Sequence, residues 1–416
     1  MPARSAGNTV KRMTTTRTAR GGTGDRLVTG SFVLLTAAEL AYFTSVGIAI
    51  YALPLFVTGP VGSDMAGAGI AFGAFAVSAL LLRPLAGRLS DTWGRRPLLI
   101  TGAVLCAVSM ALTAHAETLT AVIALRLVLG VAEAAFFVAA IAALADLAPP
   151  GRIGEAMSIN SLGLYLGLAF GPPLGEGLVK AVGFTAAWYA AGVLSVIAAI
   201  VVMTLGETRS PQRDTGTRAP LIHWATVPLA AGFFTSTVAM GGFLAFAALH
   251  ADAAGLPNPS IPLITYGIVV VVCRVLFAKV PDRVPALPLG ASALGIIAAG
   301  LIMTAVWATP VGIVSAALML GVGVAFSTPA FFTAIFTATK PSERGAASGT
   351  ASAFLDLGIG GGPIMLGFVA QSAGIPWALG VGAGVAVIGG IWTLALTRQH
   401  RGNDSNAGTP RSAQSC

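Results

Sequence analysis

Long apolar runs separated by short polar segments cover most of this chain of 416 residues. A helix needs about 20 apolar residues to cross the hydrocarbon core of a bilayer. Twelve runs meet this requirement, and each one predicts a transmembrane helix. They lie near residues 28–57, 67–86, 97–115, 119–146, 155–180, 184–205, 223–250, 260–280, 286–307, 311–338, 344–372 and 375–397. The pattern therefore predicts an all-α membrane protein with twelve transmembrane helices.

Three polar segments predict how the chain is divided. Residues 1–26 are rich in Thr, Arg and Gly, and they predict a disordered tail. Residues 206–222 are the longest polar stretch inside the chain, and residues 398–416 form a second tail. We therefore expect six helices in residues 27–205 and six in residues 223–397. The first apolar run is too long to belong to a cleaved signal peptide, so the N-terminus is expected to remain.

Composition supports the membrane assignment. The chain is 55% hydrophobic and only 10% charged, and its mean hydropathy is +0.84. Soluble domains carry about 25% charged residues. Gly is abundant, with 52 residues, as in transmembrane helices that pack closely. A string of soluble domains is therefore excluded.

The basic residues predict the orientation of the chain. If both termini are cytoplasmic, the cytoplasmic segments hold 20 of the 24 Lys and Arg residues, and the outer loops hold only Lys180. The other three, Arg83, Arg126 and Arg274, fall within predicted helices. This asymmetry follows the positive-inside rule and predicts a multi-pass protein of the inner (plasma) membrane. The net charge of +8 therefore reflects topology, and no nucleic-acid partner is expected.

An internal repeat relates the two sets of six helices. A shift of 191 residues superimposes Arg83 on Arg274, Asp91 on Asp282, Gly130 on Gly321, and Gly171-Pro172 on Gly362-Pro363. Arg and Asp are rare in this chain, so chance agreement is a poor explanation. The repeat predicts two pseudo-symmetric six-helix bundles with a substrate site between them, which is a known plan for transporters.

Three motifs resemble those of the major facilitator superfamily. GRLSDTWGRRP at residues 87–97 resembles its motif A, and RLVLG at residues 126–130 resembles motif B. GLAFGPPLG at residues 167–175 resembles motif C, which is typical of the twelve-helix drug:proton antiporters. The chain departs from these motifs at three positions, which are Thr92 for Arg in motif A, Leu129 for Gln in motif B and Glu176 for Gly in motif C.

The resemblance to motif A implies a cytoplasmic gate. Gly87 and Gly94 are expected to allow a tight turn between two helices. Asp91 is expected near the positive N-terminal end of the eleventh helix, where an anion is stabilised. The family further implies a cluster of Asp91, Arg95 and Asp146 that latches the two halves and favours an outward-open state. Arg88 and Arg96 either belong to this gate or only enforce topology.

Charged residues inside the predicted helices point to proton coupling. Each one costs about 2.5–3.5 kcal/mol on insertion scales. Glu133 lies seven residues, about two helical turns, after Arg126. Since the first and fourth helices line one cavity in this family, Glu39, Arg126 and Glu133 are expected to form one polar group that carries a proton. A static ion pair is the alternative. Asp356 in the eleventh helix either faces the cavity or binds a backbone group.

Small and aromatic residues complete the predicted site. Gly163, Gly167, Gly171 and Gly175 recur every four residues and form a smooth stripe on the fifth helix, which Pro172 is expected to bend. The resemblance implies that this stripe seals the fifth helix against the eighth, and ordinary packing of small residues is the alternative. Members of a predicted substrate cavity are Tyr42, Phe137, Asn160, Phe234 and Phe332. Packing within the bundle and contact with lipid are the alternative roles for these aromatic side chains.

These features predict a proton-coupled antiporter that exports small lipophilic or amphipathic molecules by alternating access. Its partners are then a small-molecule substrate, protons and the bilayer, and it acts as a monomer. A proton-linked importer of a small metabolite is the alternative, and a receptor without transport is a third reading. An enzyme is not expected, because the four His residues are scattered and no metal or nucleotide motif occurs. No cofactor or metal is predicted.

Overall fold

The computed structural model describes residues 27–149, 152–208, 223–277, 280–340 and 343–407. The predicted tail 1–26, residues 209–222 of the predicted linker and the last nine residues, 408–416, lie outside this range. The predicted division of the chain into tails and linker therefore stays a prediction.

Twelve long helices make up nearly all of the described chain. They are α1 (Gly30–Thr58), α2 (Met65–Trp93), α3 (Arg95–Thr113), α4 (Leu119–Leu147), α5 (Ile153–Ala181), α6 (Phe184–Thr204), α7 (Val227–Ala253), α8 (Ile261–Leu276), α9 (Ala286–Val306), α10 (Pro310–Thr337), α11 (Arg344–Ala373) and α12 (Ile375–Ala407). Short helical turns occur at Trp224–Thr226 and Val280–Arg283, and the described residues contain no β-strand. The predicted all-α fold class is confirmed.

The helices have the length and composition of membrane spans. Eleven are long and apolar enough to cross a bilayer, and α8 is a shorter apolar helix of 16 residues. Successive helices alternate in direction, so the chain has two faces. We call the face that holds the α2–α3 turn the basic face and the other the opposite face. Exposed Trp93 and Trp224 lie at the basic face and exposed Trp307 and Trp377 at the opposite face, as in interfacial aromatic belts.

Polar side chains start several helices. Thr29, Asp64, Thr118 and Thr309 precede α1, α2, α4 and α10, and each side chain accepts a hydrogen bond from a backbone N–H in the first turn. Such caps satisfy donors that the helix itself leaves free. The caps explain why the apolar runs begin as helices where the sequence predicts.

Two helix ends differ from the apolar pattern. The second run was expected to end at residue 86, but α2 continues through Arg88 and Asp91 to Trp93. Charged residues do not stop a helix, whereas Gly94 does, because its φ of +108° is unfavourable for any other residue. The last helix, α12, likewise continues beyond residue 397 to Ala407.

The duplication is visible in the packing. On α5, Gly167 lies against Phe43 and Gly171 against Gly47, both on α1. The copies of these contacts, 191 residues later, are Gly358 of α11 against Phe234 and Gly362 against Val238, both on α7. The space beside Gly130 is filled by the Phe75 carbonyl, and the space beside Gly321 by the Tyr266 carbonyl. Helices α1–α6 and α7–α12 therefore repeat one arrangement.

The glycine stripe of α5 faces α1 rather than α8. Gly163, Gly167, Gly171 and Gly175 each lie against α1 residues, from Thr36 to Ile48. The expected seal between α5 and α8 is therefore wrong for the stripe, because residues four apart share one helix face and that face points into the first half. Pro172 and Pro173 lie inside α5, which runs on to Ala181.

The two halves meet along two antiparallel seams, α2 with α11 and α5 with α8. Gly69 and Gly73 of α2 lie against Pro363 and Gly360 of α11. Ala76 lies against Gly360 in one seam, and Ala169 against Gly267 in the other, at positions related by the 191-residue shift. Small residues let the helix backbones approach closely and so join the halves without large interlocking side chains.

Substitution of Gly171 tests the close contact of α1 with α5. In Gly171→Val, the new side chain would lie about 2.5 Å from Gly47 Cα and must force the helices apart, so we expect a lower melting temperature and less folded protein. Gly177→Val on the same helix is the control, because nothing lies within 4 Å of a Cβ there. Equal melting temperatures for the two variants would contradict this packing.

Candidate transport site and gate

The turn between α2 and α3 depends on one glycine. Gly94 adopts a φ of +108° between the two helices, as a tight turn requires. Gly87 lies inside α2, and no atom lies within 4 Å of a Cβ placed there. The expected role of Gly87 in the turn is therefore wrong, because the helix continues for six residues after it.

Arg95 joins three helices at the basic face. Its Nη1 lies 2.6 Å from Asp91 Oδ1 and 3.1 Å from Ser90 Oγ, both on α2. Its Nε lies 3.1 Å from Asp146 Oδ2 near the end of α4. The cluster of Asp91, Arg95 and Asp146 that the resemblance implied is thus formed, and it connects α2, α3 and α4 within one half.

Glu207 adds a contact that the sequence did not predict. Its Oε1 accepts a hydrogen bond from the Arg95 backbone N–H at 2.9 Å, and its Oε2 accepts one from that of Arg96 at 3.2 Å. The carboxylate therefore caps the N-terminus of α3. A side chain on Gly94 would collide with it. Arg96 also donates to the Met203 carbonyl near the end of α6. An acidic residue three positions after the end of α6 was the only signal in the sequence.

Asp91 does not engage the second half in this structure. Its side chain is 73% exposed, and its ion-pair partner is Arg95, four residues later at the start of α3. The predicted contact of Asp91 with the start of α11 is absent among the described residues. The reason is local, since the nearby guanidinium holds the carboxylate on its own half.

An ion pair between Arg83 and Asp356 crosses the seam of α2 with α11. Arg83 Nη2 donates to Asp356 Oδ1 at 2.7 Å, and Nε lies 2.5 Å from Oδ2. Both side chains are largely buried, at 13% and 4% exposure. Asp356 was expected to face a cavity or bind backbone, and instead it binds a guanidinium of the other half. Sequence reasoning missed this pair because 273 residues separate its members.

Glu39 and Glu133 are held by neutral partners. Asn160 donates to Glu39 Oε2 at 2.7 Å and accepts from Thr36 at 2.8 Å, so Asn160 joins α5 to α1. The Tyr42 hydroxyl donates to Glu133 Oε2 at 3.4 Å. Among the described residues, neither carboxylate has a basic side chain within ion-pair distance.

Arg126 binds backbone rather than a carboxylate. It donates to the carbonyls of Ala71 and Phe72 on α2, at 3.2 and 3.3 Å, and lies over the Phe75 ring at 5.1 Å. The single polar group expected from Glu39, Arg126 and Glu133 is therefore divided into three separate contacts, and the alternative static ion pair is not formed either. Backbone carbonyls of the parallel helix α2 lie closer to Arg126 than the acid does.

At the opposite face, the end of α5 is tied to the second half. Glu176 Oε2 accepts a hydrogen bond from the Ser260 backbone N–H at 2.9 Å, and Oε1 lies 2.5 Å from Lys180 Nζ. Lys180 also donates to Asn258 Oδ1 at 3.0 Å. On α11, Gln371 stands where the 191-residue shift places the equivalent of Lys180. Its side-chain oxygen accepts a hydrogen bond from the Met65 backbone N–H at 3.0 Å. Both seams are therefore closed at this face.

The predicted cavity residues fall into two groups. Tyr42 is fully buried and stacked on Phe136 at 4.0 Å, and Asn160 is buried between α1 and α5. Phe137, Phe234 and Phe332 are half-buried on α4, α7 and α10. Arg83 lies over the Phe137 ring at 5.0 Å. A cavity role for these three rings stays a prediction.

Comparison with known families decides the identity of the fold. The model of the Major Facilitator Superfamily matches residues 35–349 and 313–415. The chain belongs to the major facilitator superfamily. Two curated relatives, each an uncharacterised transporter of this superfamily, come from Burkholderia pseudomallei and Salmonella typhimurium. Both are 29% identical to this chain and match 88% of it. The Burkholderia relative is matched over 396 residues, 92% of its length, and the Salmonella relative over 382 residues, 96% of its length.

Solved structures of superfamily members share the fold. The nucleoside transporter NupG matches with a TM-score of 0.71 at 16% identity, over 88% of this chain and 99% of that protein. A bacterial homologue of the human lysosomal transporter Spinster, solved in an inward-facing and occupied conformation, matches with a TM-score of 0.71 at 15% identity. The match covers 88% of this chain and 96% of that protein. The human organic anion transporter MFSD10 matches with a TM-score of 0.67 at 17% identity, over 87% of this chain and 98% of that protein.

Membership fixes the general function. Homologous proteins are transporters of this superfamily, which are not enzymes, so this chain is a multi-pass membrane transporter that binds a small-molecule substrate. The prediction that it is not an enzyme is confirmed by these homologues.

The Arg83–Asp356 pair gives a test of how the halves are joined. Removing one partner of a buried ion pair costs about 3–5 kcal/mol, because the other charge is left unpaired. We therefore expect Asp356→Asn to lower the melting temperature of the purified protein, and Arg83→Gln in the same chain to restore part of the loss. The matched control is Glu155→Gln, which breaks the exposed Arg152–Glu155 pair and should change little. Additive effects of Arg83→Gln and Asp356→Asn would contradict a direct pair.

Proposed function

We propose that this transporter is a proton-coupled antiporter that exports small lipophilic or amphipathic molecules by alternating access. In this proposal it lies in the inner (plasma) membrane with both termini in the cytoplasm, and it acts as a monomer. The observation that carries the proposal is the position of Glu133, a membrane-embedded acid with a neutral partner, next to the ion pair that joins the halves.

The neutral partners of Glu39 and Glu133 support proton exchange. A carboxyl group that is held by an amide or a hydroxyl can gain or lose a proton without breaking an ion pair. Asp356, in contrast, must give up Arg83 when it is protonated. Embedded acids in transporters commonly mark proton pathways. Glu133 is half-buried and Glu39 is buried, so Glu133 is the better placed to exchange protons.

The geometry links Glu133 to the seam of α2 with α11. Phe137 follows Glu133 by one helical turn, so both side chains share the face of α4 that meets Arg83. Arg83 lies over the Phe137 ring at 5.0 Å, so the Arg83–Asp356 pair lies near Glu133. An ionised Glu133 competes with Asp356 for Arg83 and loosens the contact between the halves, whereas a protonated Glu133 leaves it intact. Proton binding thereby biases the two halves toward one arrangement.

The contacts at the two faces correspond to one step of the transport cycle. Glu176, Lys180 and Gln371 close the opposite face, while Asp91 at the basic face is exposed and, within the described part of the chain, pairs with Arg95 of its own half. With the basic face in the cytoplasm, this is an inward-facing arrangement. The gate residue Asp91 would then reach α11 only after the halves rock to close the cytoplasmic side.

Half-buried aromatic rings on α4, α7 and α10 support a lipophilic or amphipathic substrate. The second candidate is proton-linked import of a small metabolite, which the similarity to a nucleoside transporter favours. Substrate accumulation in inverted vesicles and in whole cells separates the two directions. An efflux and susceptibility screen in a pump-deficient host, with and without a protonophore, identifies the exported class.

Glu133→Gln should uncouple transport from the pH gradient. The amide keeps the shape and the contact with Tyr42 but cannot exchange a proton, so a pH jump should no longer drive accumulation in inverted vesicles, while exchange without a gradient continues. Glu117→Gln, which changes an exposed acid, is the control. If the pH jump still drives export normally in Glu133→Gln, another acid carries the proton, and Glu39→Gln is the next variant.

Asp91→Asn should reduce the rate of export while leaving the amount of protein unchanged. Loss of the negative charge removes about 1 kcal/mol from the closed cytoplasmic gate, which corresponds to roughly five-fold slower export. Initial rates in energised vesicles measure the effect, with Asp252→Asn at the opposite face as the control. Unchanged export by Asp91→Asn would eliminate the gate from the mechanism.

A further inference from the structure

The duplication places Arg274 at a position equivalent to Arg83. A shift of 191 residues carries Arg83 of α2 onto Arg274 of α8, and Tyr165 of α5 onto Asp356 of α11. In the structure both contacts form. Arg83 pairs with Asp356, and Arg274 donates through Nη2 to the Tyr165 hydroxyl at 2.8 Å, with its guanidinium 4.3 Å from the ring centre. The two seams therefore carry one contact each at the same depth.

The two contacts differ in charge. Asp356 neutralises Arg83, but the Tyr165 hydroxyl leaves the charge of Arg274 uncompensated. Among the residues that the structure describes, no carboxylate lies within ion-pair distance of Arg274. Its Nε is buried and makes no hydrogen bond. A guanidinium with a free donor in a helix of an apolar bundle is a binding group for an anion.

A cavity of about 80 Å³ adjoins this guanidinium. It lies between the end of α8 and α10, near the basic face, and Arg274 is the one charged side chain among its described lining residues. Cys273, Phe277, Phe326 and Pro329 supply apolar walls. The cavity therefore presents one cationic donor beside an apolar surface, which matches a small anionic group attached to a hydrocarbon chain.

We propose that Arg274 and this cavity bind the anionic oxygen group of an amphipathic molecule, with a phosphate monoester or phosphodiester as the chemical class. The planar guanidinium offers its unused donors to two phosphate oxygens, and the walls between α8 and α10 accept the first carbons of the attached chain. A soluble phosphate ester and the headgroup of an anionic phospholipid share this chemistry. The site is separate from Glu133 and does not depend on proton coupling.

Binding is measured on the full-length protein in micelles of dodecyl maltoside, a detergent without phosphate, with butyl phosphate as the probe. Phosphorus NMR line broadening during titration gives the Kd, and neutral triethyl phosphate tests whether charge is required. We expect butyl phosphate to bind wild-type protein and to bind Arg274→Gln roughly ten-fold more weakly, because the charge-assisted hydrogen bonds are lost. Triethyl phosphate should not discriminate between the two proteins.

Two further variants keep the test independent of folding. Ala325→Leu retains Arg274 but fills the cavity, since Ala325 lines it, so binding of butyl phosphate should weaken as in Arg274→Gln. Arg283→Gln removes an exposed charge from the same face and should leave the Kd unchanged. The proposal is overturned if Arg274→Gln and Ala325→Leu, shown to be folded by their melting curves, bind butyl phosphate as wild type does.

The source of the anion is decided by a second arm in nanodiscs that mix phosphatidylcholine with phosphatidylglycerol. Native mass spectrometry then counts the phosphatidylglycerol that each protein retains. Retention by wild type but not by Arg274→Gln assigns the site to the lipid headgroup. Equal retention, with butyl phosphate binding weakened in Arg274→Gln and in Ala325→Leu, assigns it to a soluble ester. Equal retention together with equal butyl phosphate binding would refute the site.

Discussion

A charge inside the hydrocarbon region must find a partner within the protein, because no bulk water is there to solvate it. This constraint organises the interior of the transporter. Arg83 forms an ion pair with Asp356 of the other half, and Arg126 donates hydrogen bonds to backbone carbonyls of its neighbour α2. Glu39 accepts a hydrogen bond from the side-chain amide of Asn160, and Glu133 accepts one from the Tyr42 hydroxyl. The ion pair joins the two halves, the carbonyl contacts hold α4 against α2, and the neutral partners leave the two carboxyl groups outside any ion pair among the described residues.

The duplicated fold contains two nearly equivalent seams between the halves, α2 with α11 and α5 with α8. They differ in the charge of the polar pair that each contains. Small residues bring α2 to α11 and α5 to α8 at matching positions, such as Ala76 with Gly360 and Gly267 with Ala169. At one depth the pairing is Arg with Asp in the first seam and Arg with Tyr in the second. The charges of the first pair therefore neutralise each other. The second seam retains an uncompensated cation beside a cavity.

Alternating access requires contacts that can be exchanged between the two faces. The opposite face is held by hydrogen bonds from backbone N–H groups, which Ser260 donates to Glu176 and Met65 donates to Gln371. The basic face instead holds a cluster within one half, with Asp91, Arg95 and Asp146 bound together and α3 capped by Glu207. Contacts of about 1 kcal/mol each suit this task, because a transporter must be able to break them in every cycle.

The sequence by itself determined the elements and their number. Apolar runs of bilayer length, a positive-inside asymmetry and a 191-residue repeat predicted twelve helices in two related sets, because hydrocarbon thickness and backbone hydrogen bonding leave a chain little freedom. Motif A likewise predicted the Asp91, Arg95 and Asp146 cluster. Only the tertiary structure decided which face of each helix meets which neighbour. The glycine stripe of α5 packs against α1, Arg126 donates to carbonyls of α2, and Asp356 pairs with Arg83. Helical periodicity places residues on a common face, but the partner of that face depends on the packing of segments far apart in the chain.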